Sequence, residues 1–215
     1  MYIGRIVSVA KTPDNRIVAS YRVSSRSFPN RKAVISGDKV SIVPKDGHEG
    51  DIFKNPYIAY NCVRLVNNGD IAVVTNGSQT DPIAEKIAMG MPIRDALVLS
   101  SLAMDYEKDD YNTPRISAVA DRVNNTGWLA VVRDNGLEVR EMPLEAGQFF
   151  YVSTYEENTL EIAQGGDYTA NTSEEACEFI LRKSVFAERT KPVTAVAAVF
   201  TDGEFELTSQ DVITD

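Results

Sequence analysis

Three stretches of the chain gather residue types that handle anions and protons. In Tyr21-Arg22-Val23-Ser24-Ser25-Arg26-Ser27-Phe28-Pro29-Asn30-Arg31, three arginines and three serines crowd into one segment at the end of a strand pattern. Guanidinium groups offer forked donors matched to phosphate oxygens, and hydroxyls with loop N–H groups complete the coordination. Arg22, Ser24, Ser25, Arg26 and Ser27 therefore read as a phosphate cradle; the competing reading is a solvated loop whose arginines pair with surface acids. The second stretch is Asn55-Pro56-Tyr57-Ile58-Ala59-Tyr60-Asn61. Strand alternation places Tyr57, Ala59 and Asn61 on one face and Ile58 with Tyr60 on the other. A tyrosine in a cleft exchanges a proton, whereas a packed one only tethers its hydroxyl.

Asn76-Gly77-Ser78 follows a strand pattern and precedes a helix pattern. Its amide could contact a heterocycle, or the three residues are a plain turn. The third stretch, Met104 to Arg115, sets Asp105, Glu107, Asp109 and Asp110 among tyrosines at a helix end. Crowded carboxylates raise one another's pKa, which suits proton transfer near neutrality. A solvated acidic helix end is the alternative, although acids there oppose the helix dipole. The only histidine, His48, lacks a second imidazole, so neither a zinc site nor a Ser-His-Asp triad assembles. Walker and GxGxxG fingerprints are absent.

The elements that would carry these groups follow from composition and periodicity. The 215 residues are 43% hydrophobic and 25% charged, with 31 acids against 22 bases and a net charge of -9. Such a balance opposes nonspecific nucleic-acid binding, which needs a broad basic face. Yet Arg16, Arg22, Arg26, Arg31 and Lys32 lie in a run without acids, which keeps a local anion site. No stretch approaches the ~18 apolar residues of a membrane span, and the start lacks a signal pattern. The expectation is a cytoplasmic chain with two core thiols, Cys62 and Cys177, and no disulfide framework.

Strands are expected over 2–9, 16–23, 39–44, 58–66 and 71–75, then helices over 81–89 and from Pro92 to about Tyr106. A second strand block follows over 115–122, 127–133, 137–142 and 149–154, with Asn135-Gly136 as a hairpin turn. A helix over 173–183 starts at a capping box of Thr172 and Glu175, and strands at 193–201 and 204–208 close the chain. No linker or repeat marks a boundary, so residues 1–215 read as one domain. Blocks of strands separated by helices give an α+β class, and a four-layer αββα sandwich would bury every apolar face.

Taken in order, these blocks resemble the archaeal-type IMP cyclohydrolase family. MYIGRI at the start, YRVSSRSFPNR at 21–31, NPYIAYN at 55–61, NGS at 76–78, LAMDYEKDDYNTPR at 102–115 and KPVTAVAAVF at 191–200 carry the resemblance over essentially the whole chain. It implies closure of 5-formamidoimidazole-4-carboxamide ribonucleotide (FAICAR) to inosine 5'-monophosphate (IMP) with loss of water, the last step of purine synthesis. It also implies an αββα core similar to the N-terminal nucleophile hydrolases without their chemistry. Tyr2 agrees, since its bulk opposes removal of Met1 and no Ser, Thr or Cys would be exposed.

That reaction presses a weakly nucleophilic carboxamide nitrogen against a formyl carbon and then handles protons and charge, with no metal or organic cofactor required. On the resemblance, Arg31 and Tyr60 would act at the formyl oxygen, and Glu107 would move a proton or hold the carboxamide. Arg22, Ser24, Ser25, Arg26 and Ser27 would anchor phosphate and ribose, with Asn61, Asn76 and Ser78 at the heterocycle. Tyr60 and Asn61 point to opposite faces of a regular strand, so both reach a ligand only at a bulge or a loop edge. The partners are then a small-molecule substrate and product, with neither nucleic acid nor membrane, and a homo-oligomer stays open. Two other classes compete: a noncatalytic purine-nucleotide-binding regulator, and an amidohydrolase of the same layered fold.

Overall fold

Period-two apolar alternation, punctuated by Asn, Asp and Gly turns, makes most of this chain strand. The structure, a computed structural model, describes residues 1–212. In chain order β1 (Ile6–Lys11), β2 (Ile17–Ser24), β3 (Arg31–Ser36) and β4 (Lys39–Pro44) come first. A short helix α1 (Asp51–Lys54) and a 3-10 turn at Pro56–Ile58 lead into β5 (Tyr60–Val66) and β6 (Ile71–Thr75). Then come α2 (Thr80–Ala88), α3 (Ile93–Met104), β7 (Arg115–Asp121), β8 (Thr126–Arg133), β9 (Gly136–Met142), β10 (Gln148–Ser153) and β11 (Gly165–Asp167). The last elements are α4 (Ser173–Arg182), a 3-10 segment at Ser184–Glu188, β12 (Pro192–Thr201) and β13 (Glu204–Asp211).

The strands form two antiparallel sheets, one of six in the order β11-β10-β1-β2-β12-β13 and one of seven in the order β3-β4-β5-β6-β7-β8-β9. Alternation decides which side chains meet. From the first sheet Val7, Val9, Ala19, Tyr21, Val23 and Val196 face inward, against Ile42, Cys62, Val74, Ile116, Ala118 and Leu129 of the second. The opposite face of the first sheet, with Ile6, Val18, Phe149 and Ala197, packs on Ala176, Phe179 and Ile180 of α4. The opposite face of the second, with Val73, Val119 and Ala130, packs on Ile83, Ile87, Ala96 and Leu97 of α2 and α3. Each fully buried Val, Ile or Phe contributes roughly 1.5–3 kcal/mol, so both faces of both sheets are stabilised.

The α+β class and most elements match the sequence reading, and several details differ: β1 begins at Ile6 rather than at residue 2, and β13 runs to Asp211 rather than 208. Residues 31–36, given no strand in that reading, form β3 at a sheet edge. Residues 58–59 lie ahead of β5, because the Asn55 carboxamide accepts the Tyr57 N–H and turns the chain there. The short β11 and α1 have no apolar period that could announce them. The capping box forms as read: Thr172 Oγ1 accepts the Glu175 N–H at 3.2 Å, and the Glu175 carboxylate reaches back to the Asn171 N–H at 2.7 Å.

The spacing between the sheets depends on Gly127 of β8. A Cβ added there would lie 2.5 Å from Leu144 Cδ1 and 2.9 Å from Val9 Cβ. Gly127→Ala should therefore destabilise the protein by about 1–3 kcal/mol through overpacking. Urea unfolding measures it, and an unchanged midpoint would show that the sheets can part there freely.

Candidate active site

Register brings one end of both sheets to the same place. In the first sheet β1 starts, β2 ends and β10 ends together, with Ile6 paired to Arg22 on one side and Ser153 on the other. In the second, β3, β5 and β7 start where β4 and β6 end: Arg31 pairs with Pro44, Tyr60 with Ile42 and Thr75 with Ser117. Segments leaving this end line a small cavity of about 80 Å³. Arg5, Arg26, Arg31, Glu107 and Asp109 line it, with Ser24, Ser25 and Ser27, and Tyr2, Tyr57, Tyr111 and Tyr155 supply aromatic walls.

Each charged group is placed by a local device. Gly4 sits at φ +78°, and an added Cβ would collide with Thr154 Oγ1. That close approach lets the Arg5 N–H reach Thr154 Oγ1 at 3.1 Å and aims the Arg5 side chain into the cavity. After α3, Asp105 takes φ 56° and turns the chain back. The Asp109 carboxylate accepts from the Thr113 N–H and hydroxyl, and the Glu107 N–H donates to Thr113 O at 2.8 Å. Thr113 Oγ1 also meets the Tyr155 hydroxyl at 2.8 Å, which ties this loop to the first sheet. Ser25 Oγ accepts the Phe28 N–H, and Phe28 O accepts from Arg31 Nε at 3.0 Å, so the serine-rich loop folds onto the start of β3.

The result is a buried charge cluster with an uncommitted arm. Arg5 Nη2 donates to Glu107 Oε2 at 2.9 Å and Nη1 to Oε1 at 3.4 Å, while Arg115 Nη1 stands 3.8 Å from Oε1. Arg115 also donates to Gln79 Oε1 at 3.1 Å. Burial pushes the Glu107 carboxyl above the usual carboxylate range, against the pull of Arg5 and Arg115. Burial opposes the charge on Arg5, yet Glu107 beside it keeps that guanidinium firmly protonated, with its pKa well raised. Arg31 is 3% exposed, and its Nη1 has no acceptor among the described residues. A buried donor without a partner is costly, and here it belongs to a residue that lines the cavity.

Of the residues singled out from sequence, Ser24, Ser25, Arg26, Ser27, Arg31 and Glu107 meet at this cavity. Tyr60 does not line its wall. It lies at the edge of the inter-sheet core, 9% exposed, with its hydroxyl 2.5 Å from that of Tyr21. Arg31 and Arg5 are close enough to bear on it; burial nevertheless pushes the Tyr60 phenol up.

Arg22 has a different job from the expected one. Alternation turns it away from Tyr21 and Val23, toward α4, where it is fully buried. Its guanidinium donates to Ile180 O, Leu181 O, Phe186 O and Arg189 O, and its Nε to Ser24 Oγ. These are carbonyls left open at a helix C-terminus and the turn after it. Burial and the nearby Arg189 guanidinium bring Arg22 down to about 10.

The three heterocycle candidates also stand elsewhere. Asn61 faces outward on the second sheet, where Ser41 Oγ donates to it and its amide donates to Asp81. A register shift does interrupt β4 and β5 beside it, but that bulge leaves Asn61 with Asp81. Asn76 is buried, donates to Pro114 O and accepts from Gln79 and the Ile116 N–H, joining the end of β6 to β7. Ser78 is exposed and outside the cavity wall. Sequence reasoning missed Arg5, Tyr2 and Tyr155. Arg5 had a legible signal, a charge inside the apolar run from Ile3 to Val9; Tyr155 had none.

Fold and site together define an α+β two-sheet protein whose arginine-lined cavity closes on a buried carboxylate, an arrangement suited to a small anionic ligand. Residues 2–204 match the model of a family described as IMP cyclohydrolase-like protein, and the chain belongs to that family. It is 52% identical over 207 residues to the IMP cyclohydrolase of Methanosphaera stadtmanae, covering 96% of this chain and 98% of that one. The enzyme of the same name from Methanococcus aeolicus is 49% identical over 210 residues, or 96% and 98% of the two chains. That of Methanocaldococcus jannaschii is 43% identical over 205 residues, or 94% and 96%.

If Arg22 serves the fold, Arg22→Leu should lower the unfolding free energy by about 3 kcal/mol, because several buried carbonyls lose their donor at once. A urea titration that shows a loss below about 0.5 kcal/mol would mean those carbonyls find other donors.

Proposed function

We infer that this chain is a cyclohydrolase that closes FAICAR to IMP with loss of water. The observation that carries the reading is a buried carboxylate held between Arg5 and Arg115, near an Arg31 guanidinium whose Nη1 has no acceptor among the described residues, in a chain of this family. An amide nitrogen attacks poorly, so holding the two arms of one molecule in contact supplies much of the rate. Arg26, stacked over the Tyr2 ring at 4.4 Å, and the hydroxyls of Ser24, Ser25 and Ser27 are the groups we assign to phosphate and ribose. The tyrosine walls suit a flat heterocycle.

Ring closure then needs two proton routes. The carboxamide nitrogen attacks the formyl carbon and gives one N–H proton to Glu107, whose lone pairs exceed what the two arginines occupy. Arg31 Nη1 stabilises charge on the formyl oxygen, which takes the Tyr60 proton and becomes a hydroxyl. The C–O bond breaks as that hydroxyl receives the proton from Glu107 and departs as water. The former formamide nitrogen surrenders its own proton to Tyr60, and both side chains return to their starting states. Burial keeps Tyr60 protonated at neutrality, as a donor requires.

The layering of helix, sheet, sheet and helix supports the αββα architecture of N-terminal nucleophile hydrolases. The inter-sheet core runs without interruption from β2 to β13, which supports one domain over 1–215. Among the described residues no helix is long and apolar enough to cross a membrane. With the acidic charge of -9, this supports a cytoplasmic enzyme of a small substrate rather than a nucleic-acid binder.

Purified protein mixed with FAICAR should form IMP at enzymic rates; ligand binding without product would instead indicate a regulator. Glu107→Gln should lower kcat by at least about 10²-fold. Because the carboxylate is the working form and burial raises its pKa, the wild-type rate should fall as pH drops through a limb above the ordinary glutamate value of about 4.3. A limb at or below that value would exclude Glu107 as the proton acceptor.

A further inference from the structure

The hydroxyls of Tyr21 on β2 and Tyr60 at the start of β5 approach to 2.5 Å across the two sheets, with ring centroids 6.5 Å apart at 58°. Two phenols carry two protons, and only one can lie in the bond between them. Tyr21 is 0% exposed, and its hydroxyl has no other hydrogen-bond partner. Were Tyr21 the acceptor, its own proton would be left unsatisfied in the core, a cost of about 1–3 kcal/mol. Tyr60 is 9% exposed and lies outside the cavity wall, close enough to feel Arg5 and Arg31, which line it. Those guanidinium groups are donors only and cannot accept its proton. On the cyclohydrolase reading, the acceptor of the Tyr60 proton is the substrate's formyl oxygen.

We propose that Tyr21 is a positioning residue for ring closure: its hydroxyl donates to the Tyr60 oxygen from the opposite sheet and turns the Tyr60 proton toward the substrate's formyl oxygen. This rests on the cyclohydrolase reading above. A phenol oxygen that accepts a hydrogen bond is a better proton donor, because the bond strengthens as negative charge grows on it. The charged and titratable groups facing the pair are Arg5 before β1, Arg31 at the start of β3 and Cys62 on β5. Burial raises both phenols and the two arginines favour charge on both; burial and the neighbouring Tyr60 hold Tyr21 well above the ordinary phenol range, and with no other acceptor for its proton among the described residues Tyr21 stays the donor.

Tyr21→Phe retains the ring in the core and removes only the donor. Its kcat should fall about tenfold with KM unchanged, the kinetic equivalent of one lost hydrogen bond. The slowly exchanging downfield hydroxyl signal expected of a short buried phenol pair should vanish from its proton NMR spectrum. Placing 3-fluorotyrosine at position 21, a stronger donor, should restore the signal and raise kcat above the wild-type value. Wild-type kcat in Tyr21→Phe, or a raised KM at unchanged kcat, would overturn the role while leaving the cyclohydrolase reading intact. A wild-type protein that forms no IMP would overturn both. Should Tyr21→Phe fail to fold, the fluorinated variant decides: a raised kcat at constant KM supports the role, and an unchanged or lowered kcat refutes it.

Discussion

A guanidinium cannot be buried at reasonable cost unless its charge and its N–H groups are met, and this constraint orders the site. Four arginines lie buried near one end of the two sheets: Arg5, Arg22, Arg31 and Arg115. Arg22 is met by carbonyls at the end of α4, while Arg5 and Arg115 share the single carboxylate of Glu107. Among the described residues Arg31 Nη1, like Arg115 Nε, has no protein acceptor. One carboxylate for two arginines, and one arginine beyond that, leaves an excess of positive charge in a low-dielectric cavity. A phosphorylated ligand with a developing oxyanion corrects that imbalance, so affinity and catalysis draw on the same deficit.

Glu107 answers to opposed influences, and the balance is what makes it useful. Alone in water a carboxylate is a weak base at neutral pH; fully ion-paired, it would be weaker still. Burial acts in the other direction and prevails here. The Asp109 and Thr113 contacts hold the loop in the geometry that allows both effects at once, and Tyr155 binds that loop to the neighbouring sheet.

What the sequence revealed follows a physical line. Apolar periodicity is local, so β2, the turn at Asn135-Gly136, the longer helices and most of the strands were legible to within about two residues, while β1 starts four residues later than read, β13 runs three residues further, and β3 and β11 were missed. Composition also singled out the serine-rich loop and the acidic segment around Glu107, which line one cavity. The errors arose where the same letters serve a fold and a ligand equally well. Arg22 and Arg26 stand four apart in one motif, yet Arg22 belongs to a strand face turned toward α4 and Arg26 to the loop beyond it. Asn61 and Asn76 have amides suited to a heterocycle, and tertiary contacts with Asp81, Pro114 and Ile116 occupy them instead. Arg5 pairs with Glu107 across 102 positions, a juxtaposition that no local pattern encodes.

The division of the site between two sheets explains why polar bonds span it at all. The first sheet carries Arg5, Tyr21 and the serine-rich loop; the second carries Arg31, Tyr60 and Arg115, with Glu107 on the loop that enters it. Apolar faces tolerate small slides with little change in buried area, since the hydrophobic effect has no direction. Catalytic geometry does not tolerate them, because a displacement of about 1 Å can cost 10²-fold in rate. Two directional contacts, Arg5 to Glu107 and Tyr21 to Tyr60, bridge the sheets where the reacting groups would lie. Both lose their geometry if the sheets slide by a fraction of a residue. The packed core thus holds the layers together, and the buried polar bonds at its edge choose the one alignment in which the cavity is competent.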